Sequence, residues 1–243
     1  MILLTMPNPR PTKIPLVLVP GLLCDALLWA PQIGALSDIA DCWVYRPTDS
    51  DTIKDLAEQL LAQAPFKEFA LAGLSMGGYV ALEVMRQAAN RVQKLALLNT
   101  NALADTATQI ESRAALQQLS RSGQFPQVIE SLLPALVNRA RSYNHEVVGT
   151  IRTMARNVGE QAFYRQESAI IGRIDSRAHL GAIRCKTLLL CGRQDALTPI
   201  ALHEEMANEI IGSNLAVIDD CGHLSTLEQP EEVSVALRTW LLG

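Results

Sequence analysis

The segment Phe69-Ala70-Leu71-Ala72-Gly73-Leu74-Ser75-Met76-Gly77-Gly78 decides the fold class of this 243-residue chain. Its first four residues form an unbroken apolar run, which is typical of a strand that is buried on both faces. Apolar residues with helical spacing follow the segment, at Val80, Ala81, Val84, Met85 and Ala88. We therefore predict a strand, a sharp glycine-rich turn and a helix in direct succession.

Similar short apolar runs recur along the chain, and each is followed by Gly, Pro, Asn or Asp. We predict strands at residues 14–19, 43–45, 69–72, 95–98, 187–190 and 215–218. Amphipathic helical patterns lie between them, including one that starts at Ile53, with Ser50 or Asp51 as its N-cap. This alternation predicts an α/β fold, with a mainly parallel sheet and helices on both of its faces.

Residues 104–182 break the alternation, because they carry helical patterns and no convincing strand. We interpret them as an all-helical cap that is inserted into a core made of residues 1–103 and 183–243. In open α/β sheets, ligands bind beyond the carboxyl ends of the strands, so a cap that leaves the sheet after Leu98 would cover the site. A helical layer with no role in binding is the alternative.

Ser75 is the candidate nucleophile, since it lies at the centre of the pattern Gly73-x-Ser75-x-Gly77. A strained turn keeps the serine hydroxyl clear of the backbone, and small flanking residues let the strand and the helix approach each other. The N-terminus of the following helix favours negative charge at this point. The structural alternative is an ordinary strand-to-helix turn with an N-capping serine.

A serine hydroxyl needs a base, and the base needs a group that orients it. Asp195 follows the predicted strand 187–190, and His223 follows the predicted strand 215–218. If the strands are parallel, both loops open at the same edge of the sheet as Ser75. We therefore predict a catalytic triad of Ser75, Asp195 and His223, with Asp220 as the alternative to Asp195. The structural alternatives are a helix-capping or turn residue at Asp195 and a structural surface histidine at His223.

An acyl-transfer site also needs backbone N–H donors for the oxyanion. We predict that these are the N–H of Met76, directly after the nucleophile, and the N–H of Leu22, in the loop after the first strand. The alternative at Leu22 is a simple turn.

At these motifs the chain resembles the α/β-hydrolase superfamily, in its small esterase-like branch with a helical cap, and the resemblance covers nearly the whole chain. The matching stretches are Val19-Pro20-Gly21-Leu22, Gly73 to Gly78, Gly192-Arg193-Gln194-Asp195, Gly222-His223 and Leu227-Glu228-Gln229-Pro230. The order Ser, Asp, His along the chain also agrees with this family. The chain departs from the family at Pro20, where relatives commonly carry a histidine.

The expected function is hydrolysis of carboxylic esters through an acyl-enzyme intermediate. Lactone, enol-lactone or C–C bond hydrolysis on the same scaffold stays open, because fold and triad do not decide the reaction. A catalytically weak ligand-binding protein is a further alternative. A nucleotide-binding domain is disfavoured, since the chain has neither a G-x-G-x-x-G pattern nor a Gly-Lys-Ser or Gly-Lys-Thr loop.

The expected partner is a small ester or lactone with an apolar portion. Residues 104–182 hold nine arginines and seven acidic residues, which gives a charge of +2 against -6 for the rest of the chain. A carboxylate-bearing substrate that binds a cap arginine would suit this excess, and a solvated charged surface explains it at least as well.

Composition excludes several classes of protein. The net charge of -4 lacks the basic surplus of a dedicated nucleic-acid-binding protein. No apolar run approaches the roughly 20 residues of a membrane-spanning helix. The four histidines do not cluster and no Cys-x-x-Cys pair occurs, so we predict no metal and no cofactor.

The five cysteines, an odd number, are typical of a reduced protein. Residues 1–6 are apolar but too short for the core of a signal peptide. Together these observations favour a cytoplasmic location.

Overall fold

The computed structural model describes residues 13–141 and 144–243. Residues 1–6, on which the signal-peptide argument rests, lie outside this part. Within it, no helix combines the length and the apolar character that crossing a membrane requires.

A single sheet of parallel strands forms the centre of the described molecule. Its strands are β1 (Ile14–Val19), β2 (Ala40–Val44), β3 (Phe69–Leu74), β4 (Val92–Leu98), β5 (Lys186–Gly192) and β6 (Asn214–Ile218). They lie in the order β2-β1-β3-β4-β5-β6, and every neighbouring pair is parallel. The predicted α/β fold is therefore confirmed, and the carboxyl ends of the strands share one edge. The second strand covers Ala40–Val44, so the predicted range 43–45 lay too far towards the C-terminus.

Helices cover both faces of this sheet. The α-helices are α1 (Ala30–Ala35), α2 (Ile53–Gln63), α3 (Met76–Ala88), α4 (Ala107–Leu119), α5 (Phe125–Leu136), α6 (His145–Val158), α7 (Glu160–Ile171), α8 (Arg177–Leu180), α9 (Ile200–Glu209), α10 (Ser225–Glu228) and α11 (Pro230–Leu242). Val17 and Leu71 pack with α2 and α3 on one face, whereas their neighbours Leu16 and Ala70 pack with α11 on the other. Successive strand residues are thus buried on opposite faces, which explains the unbroken apolar runs.

The N-cap of α2 is Thr52, and the predicted caps Ser50 and Asp51 were wrong. The Asp55 N–H donates a hydrogen bond of 3.0 Å to Thr52 Oγ1. Ser50 Oγ instead accepts the N–H of Thr52, at 3.3 Å, before the helix begins. Three good capping residues occur in succession here, and Thr52, with its extended backbone, is the one whose hydroxyl accepts the Asp55 N–H.

The helices α4 to α8 lie between β4 and β5, as predicted for an inserted helical cap. No strand occurs among the described residues of 104–182. A separate apolar cluster joins the cap to the core, because Leu23 of the core packs with Val128, Ala155 and Phe163 of the cap. The domain boundaries at 103/104 and 182/183 stay a prediction.

Candidate active site

Ser75 occupies a strained turn between β3 and α3. Its φ of 57° and ψ of -118° lie in a region that residues with a β carbon rarely adopt. The turn needs small neighbours: a β carbon on Gly73 would lie 2.2 Å from the carbonyl oxygen of Gly77. A β carbon on Gly77 would lie 2.1 Å from the carbonyl oxygen of Val19. Only glycine at these two positions allows the strand and the helix to meet at this angle.

The structure brings the three predicted triad side chains together. His223 Nε2 lies 2.9 Å from Ser75 Oγ. His223 Nδ1 lies 2.9 Å from Asp195 Oδ2 and 3.0 Å from Oδ1. An ionised Asp195 can only accept a hydrogen bond, so the imidazole proton belongs on Nδ1 and leaves Nε2 free to accept the proton of the serine hydroxyl.

Asp195 is buried and surrounded by donors. Its Oδ1 accepts the N–H groups of Leu197 and Thr198, each at 2.9 Å. Its Oδ2 accepts the hydroxyl of Thr198 at 2.6 Å and the Asn99 amide at 2.9 Å. Burial alone would raise the pKa of Asp195, but His223 and the hydrogen bonds from Thr198 and Asn99 outweigh it and hold the pKa well below its usual range. The carboxylate therefore stays charged beside the imidazole.

Asn99 is a buried site residue that sequence reasoning missed. Besides Asp195, its amide Nδ2 contacts the carbonyl oxygen of Gly222 at 3.1 Å, and its Oδ1 accepts the hydroxyl of Ser225 at 2.5 Å. Asn99 directly follows β4 with a φ of 45°, which asparagine tolerates better than most residues. One side chain thus joins the loop of Asp195 to the loop of His223.

Asp220, the alternative to Asp195, lies in the turn before His223 with a φ of 48°. Asp219 pairs with Arg193 at 2.5 Å. The carboxylate within hydrogen-bond distance of His223 Nδ1 is that of Asp195.

A second buried histidine, His203, is connected through Thr100 to the turn at Ser75. His203 Nε2 accepts the N–H of Thr100 at 3.2 Å, and the Thr100 hydroxyl donates to the carbonyl oxygen of Ser75 at 2.8 Å. Burial lowers the pKa of His203 to about 4, so the ring is neutral at pH 7. The sequence showed this histidine only as one of four that do not cluster.

The two predicted oxyanion donors lie on either side of Ser75. Met76 is the first residue of α3, so its N–H has no acceptor within the helix. Leu22 lies in the turn closed by the Cys24 N–H and the carbonyl oxygen of Gly21, at 3.2 Å. Within the described residues, the Leu22 N–H makes no hydrogen bond. Leu22 also lines the cavity that Ser75 lines, and the Met76 N–H has no acceptor among the described residues.

A cavity of about 320 Å³ separates the sheet edge from the cap, and Ser75 and His223 line it. Most of its wall is apolar. The apolar lining residues include Leu22, Leu116, Ile129, Leu132, Leu136 and Ile151. Its polar end holds Tyr79, Asn101 and Arg113. The cap helices α4, α5 and α6 thus supply much of the cavity wall.

Arg113 is a cap arginine at this cavity, but its charge is already matched. Its Nε pairs with Asp105 at 2.6 Å, and its Nη1 pairs with Glu167 at 2.9 Å. Arg173 shares Asp105 at 2.7 Å. Two arginines thus face two carboxylates, which gives no surplus charge for a substrate carboxylate.

Cys24 and Trp29 lie close to the oxyanion loop. Cys24 lines the cavity, but burial raises the pKa of its thiol to about 12, so that it stays protonated. Trp29 is fully buried and packs in the core cluster on one face of the sheet. Neither residue supplies a reactive group.

A family comparison agrees with this architecture. The sequence model of the family described as alpha/beta hydrolase fold matches residues 14–230. The chain belongs to this family. The predicted recognition of an α/β hydrolase is thereby confirmed.

Individual relatives of this α/β hydrolase are named as esterases. A solved esterase from Thermogutta terrifontis with bound malate is 32% identical, with a TM-score of 0.87 over 95% of this chain and 90% of that chain. A pimeloyl-[acyl-carrier protein] methyl ester esterase from Aromatoleum aromaticum is 25% identical over 81% of this chain and 83% of its own.

The enol-lactonase from Burkholderia xenovorans LB400 is 22% identical, with a TM-score of 0.87 over 97% of this chain and 94% of that chain. At this identity the likeness concerns the fold. The comparisons confirm the predicted esterase-like branch and the predicted class of enzyme, a hydrolase.

Proposed function

We propose that this α/β hydrolase cleaves carboxylic esters through a covalent acyl-enzyme, with Ser75 as nucleophile, His223 as base and Asp195 as the residue that orients the base. The observation that carries the proposal is the continuous contact from Ser75 Oγ through the imidazole to Asp195, with both distances at 2.9 Å. The relatives named as esterases support an ester as substrate.

In the first step, Ser75 Oγ attacks the carbonyl carbon of the ester while its proton passes to His223 Nε2. The C=O π pair moves onto the carbonyl oxygen, which the N–H groups of Leu22 and Met76 stabilise. Asp195 stabilises the imidazolium without itself taking up the proton.

The tetrahedral intermediate then collapses. The bond to the leaving oxygen breaks, His223 gives its proton to the alcohol, and the acyl group remains on Ser75. Water repeats the sequence: it loses a proton to His223, attacks the acyl carbon and releases the acid, and the proton returns to Ser75 Oγ. No step needs a metal or a cofactor.

The cavity supports a small substrate with an apolar portion. Its volume of about 320 Å³ lies at the lower end of the roughly 300–1,000 Å³ that is usual for small-molecule sites. Leu132, Leu136 and Ile151 of the cap give the cavity that Ser75 lines an apolar wall. A substrate carboxylate is disfavoured at Arg113, because Asp105 and Glu167 already neutralise that guanidinium.

The proposal is tested by labelling the intact protein with a fluorophosphonate and mapping the modified peptide. We expect the label on Ser75. The variant Ser75→Ala should lose the label and all measurable hydrolysis of aryl acetates while keeping the wild-type circular dichroism. The matched control Ser37→Ala, which changes an exposed serine, should keep both the label and the activity.

A label on any other residue, or near wild-type turnover by Ser75→Ala, would contradict the mechanism. A wild-type protein that takes up no label and hydrolyses no ester would indicate the ligand-binding alternative instead.

A further inference from the structure

Gln166 is a cap residue that contacts two loops of the core at once. It lies on α7 and its side chain is completely buried. Its Oε1 accepts the N–H of Leu23 at 3.0 Å, and its Nε2 donates to the carbonyl oxygen of Pro47 at 3.0 Å. A single amide therefore connects the cap to the loops that follow β1 and β2.

The contact with Leu23 falls on an unusual piece of backbone. Leu23 has a φ of 57°, a region that residues with a β carbon seldom adopt, so its conformation must be imposed by its surroundings. The Leu22–Leu23 peptide unit is held at both ends, because the thiol of Cys24 donates to the carbonyl oxygen of Leu22 at 3.3 Å. Gln166 holds the N–H end of the same unit.

The fixed peptide unit adjoins the proposed oxyanion donor. The Leu22 N–H belongs to the preceding Gly21–Leu22 peptide unit, whose carbonyl oxygen accepts the Cys24 N–H at 3.2 Å. The two units share the Leu22 α carbon, so holding the Leu22–Leu23 unit limits how far the preceding unit can turn. Gln166 also occupies the Leu23 N–H, whereas the Leu22 N–H has no acceptor among the described residues. Donors that are oriented in advance stabilise an oxyanion without any reorganisation during the reaction.

We propose that Gln166 is a positioning residue for the oxyanion hole: its amide holds the turn at Leu23, and through it the Leu22 N–H, from the side of the cap. The inference rests on the function proposed above. If Gln166 positions the oxyanion hole, the cap contributes to the chemical step in addition to lining the cavity.

The test uses Gln166→Met, which keeps the length of the side chain but removes both hydrogen bonds. The matched control is Arg165→Met. Arg165 is the next residue on α7, and its Nε donates to the carbonyl oxygen of Thr48 at 2.6 Å. The control therefore loosens the same loop from the same helix without touching the turn at Leu23.

Two quantities separate positioning from simple anchoring: the split between kcat and KM for an aryl acetate, and the inhibition constant of an aryl trifluoromethyl ketone. In the inhibited enzyme the Ser75 oxygen bonds to the ketone carbon, the C=O π pair moves to the oxygen, and the proton passes to His223. The resulting oxyanion occupies the hole, whereas ground-state binding of the ester depends on it much less.

For Gln166→Met we expect kcat to fall about 10- to 100-fold, since a misplaced donor should cost less than the roughly 10²–10³-fold of a missing one. The inhibition constant of the ketone should rise by the same factor, with KM changed less than about threefold. Arg165→Met should leave kcat and the inhibition constant within about twofold of wild type.

Unchanged ketone affinity in Gln166→Met, or equal losses in Gln166→Met and Arg165→Met, would overturn the inference. If Gln166→Met does not fold, Gln166→Asn replaces it, because a shorter amide cannot reach both partners. Failure of both to fold would overturn the inference too, since it would assign Gln166 to stability alone. A wild-type enzyme that neither labels at Ser75 nor binds the ketone would refute the proposed function instead.

Discussion

Asp195 shows how a buried charge is kept in place beside an imidazole. Its two oxygens accept hydrogen bonds from two backbone N–H groups, from Thr198, from Asn99 and from His223. A buried carboxylate is expensive unless such donors satisfy it. Because they lower the pKa of Asp195, the group stays ionised at neutral pH.

The variant Asp195→Asn should lower kcat for aryl acetates by roughly 10⁴-fold, because an amide that donates to Nδ1 holds the imidazole in the wrong tautomer. The control is Asp220→Asn, since asparagine also tolerates the φ of 48° at that position. We expect its kcat to stay within a few-fold of wild type. A larger loss in Asp220→Asn than in Asp195→Asn would make Asp220 the orienting residue.

His203 should make the fold sensitive to acid. Its pKa falls from 6.5 in the unfolded chain to about 4 in the folded protein. Between these values the unfolded state binds more protons, so stability is lost as the pH falls from 6.5 towards 4. At about 1.4 kcal/mol per pKa unit, the loss is about 3 kcal/mol.

The variant His203→Gln can still accept the Thr100 N–H but does not titrate in this range. Urea unfolding at pH 7 and at pH 4 should therefore show a drop in the free energy of unfolding that is about 3 kcal/mol smaller in the variant than in wild type. Parallel losses in the two proteins would contradict the assignment.

The sequence predicted the three residues of the proposed triad, but not the residues that contact them. Ser75, Asp195 and His223 each follow a recognisable strand and lie beside glycines, so local patterns were enough. Asn99 and Gln166 lie in no motif. Their partners are 96 and 143 residues away along the chain, and only the packed fold brings them together.

At the scale of elements, the turn between β3 and α3 depends on glycine for close approach. The β carbon of an alanine at Gly77 would overlap the backbone of β1, which the fold cannot move without disturbing the sheet. By contrast, Gly149 lies inside α6 with nothing within 4 Å of the position of a β carbon. Alanine substitutions at Gly77 and Gly149 therefore compare a closely packed glycine with one that has free space around it.

We expect Gly77→Ala to lower the free energy of unfolding by at least about 2 kcal/mol, because the overlap is with backbone atoms. Gly149→Ala should raise it by about 0.5–1 kcal/mol, since alanine favours the helix. Urea unfolding of both variants measures the difference. Similar stabilities would mean that the turn is not closely packed.

The elements themselves were predictable to different degrees. The predicted strand 14–19 agrees with β1, because both of its faces are buried and its run of apolar residues is unbroken. The edge strand β2 was misplaced, since its apolar run is short and its first residues include the exposed Asp41. An edge strand has one neighbour, so its sequence is less constrained.

At the scale of the whole molecule, the cavity exists only because the cap lies over the strand ends. Ser75 and His223 come from the core, whereas Leu132 and Ile151 come from α5 and α6. The size of the acyl group that fits is therefore set by cap residues far from the triad in sequence.

Enlarging a side chain of the cap wall should change substrate preference without changing the chemistry. In Leu132→Trp, the indole would fill part of the cavity, so kcat/KM for an aryl hexanoate should fall at least about tenfold relative to that for the acetate. The control Ile110→Trp changes an exposed residue of α4 and should leave the ratio unchanged. The ratio is measured across a series of aryl esters from acetate to hexanoate. An equal loss for both esters in Leu132→Trp, or an unchanged ratio, would mean that the acyl group does not lie against α5.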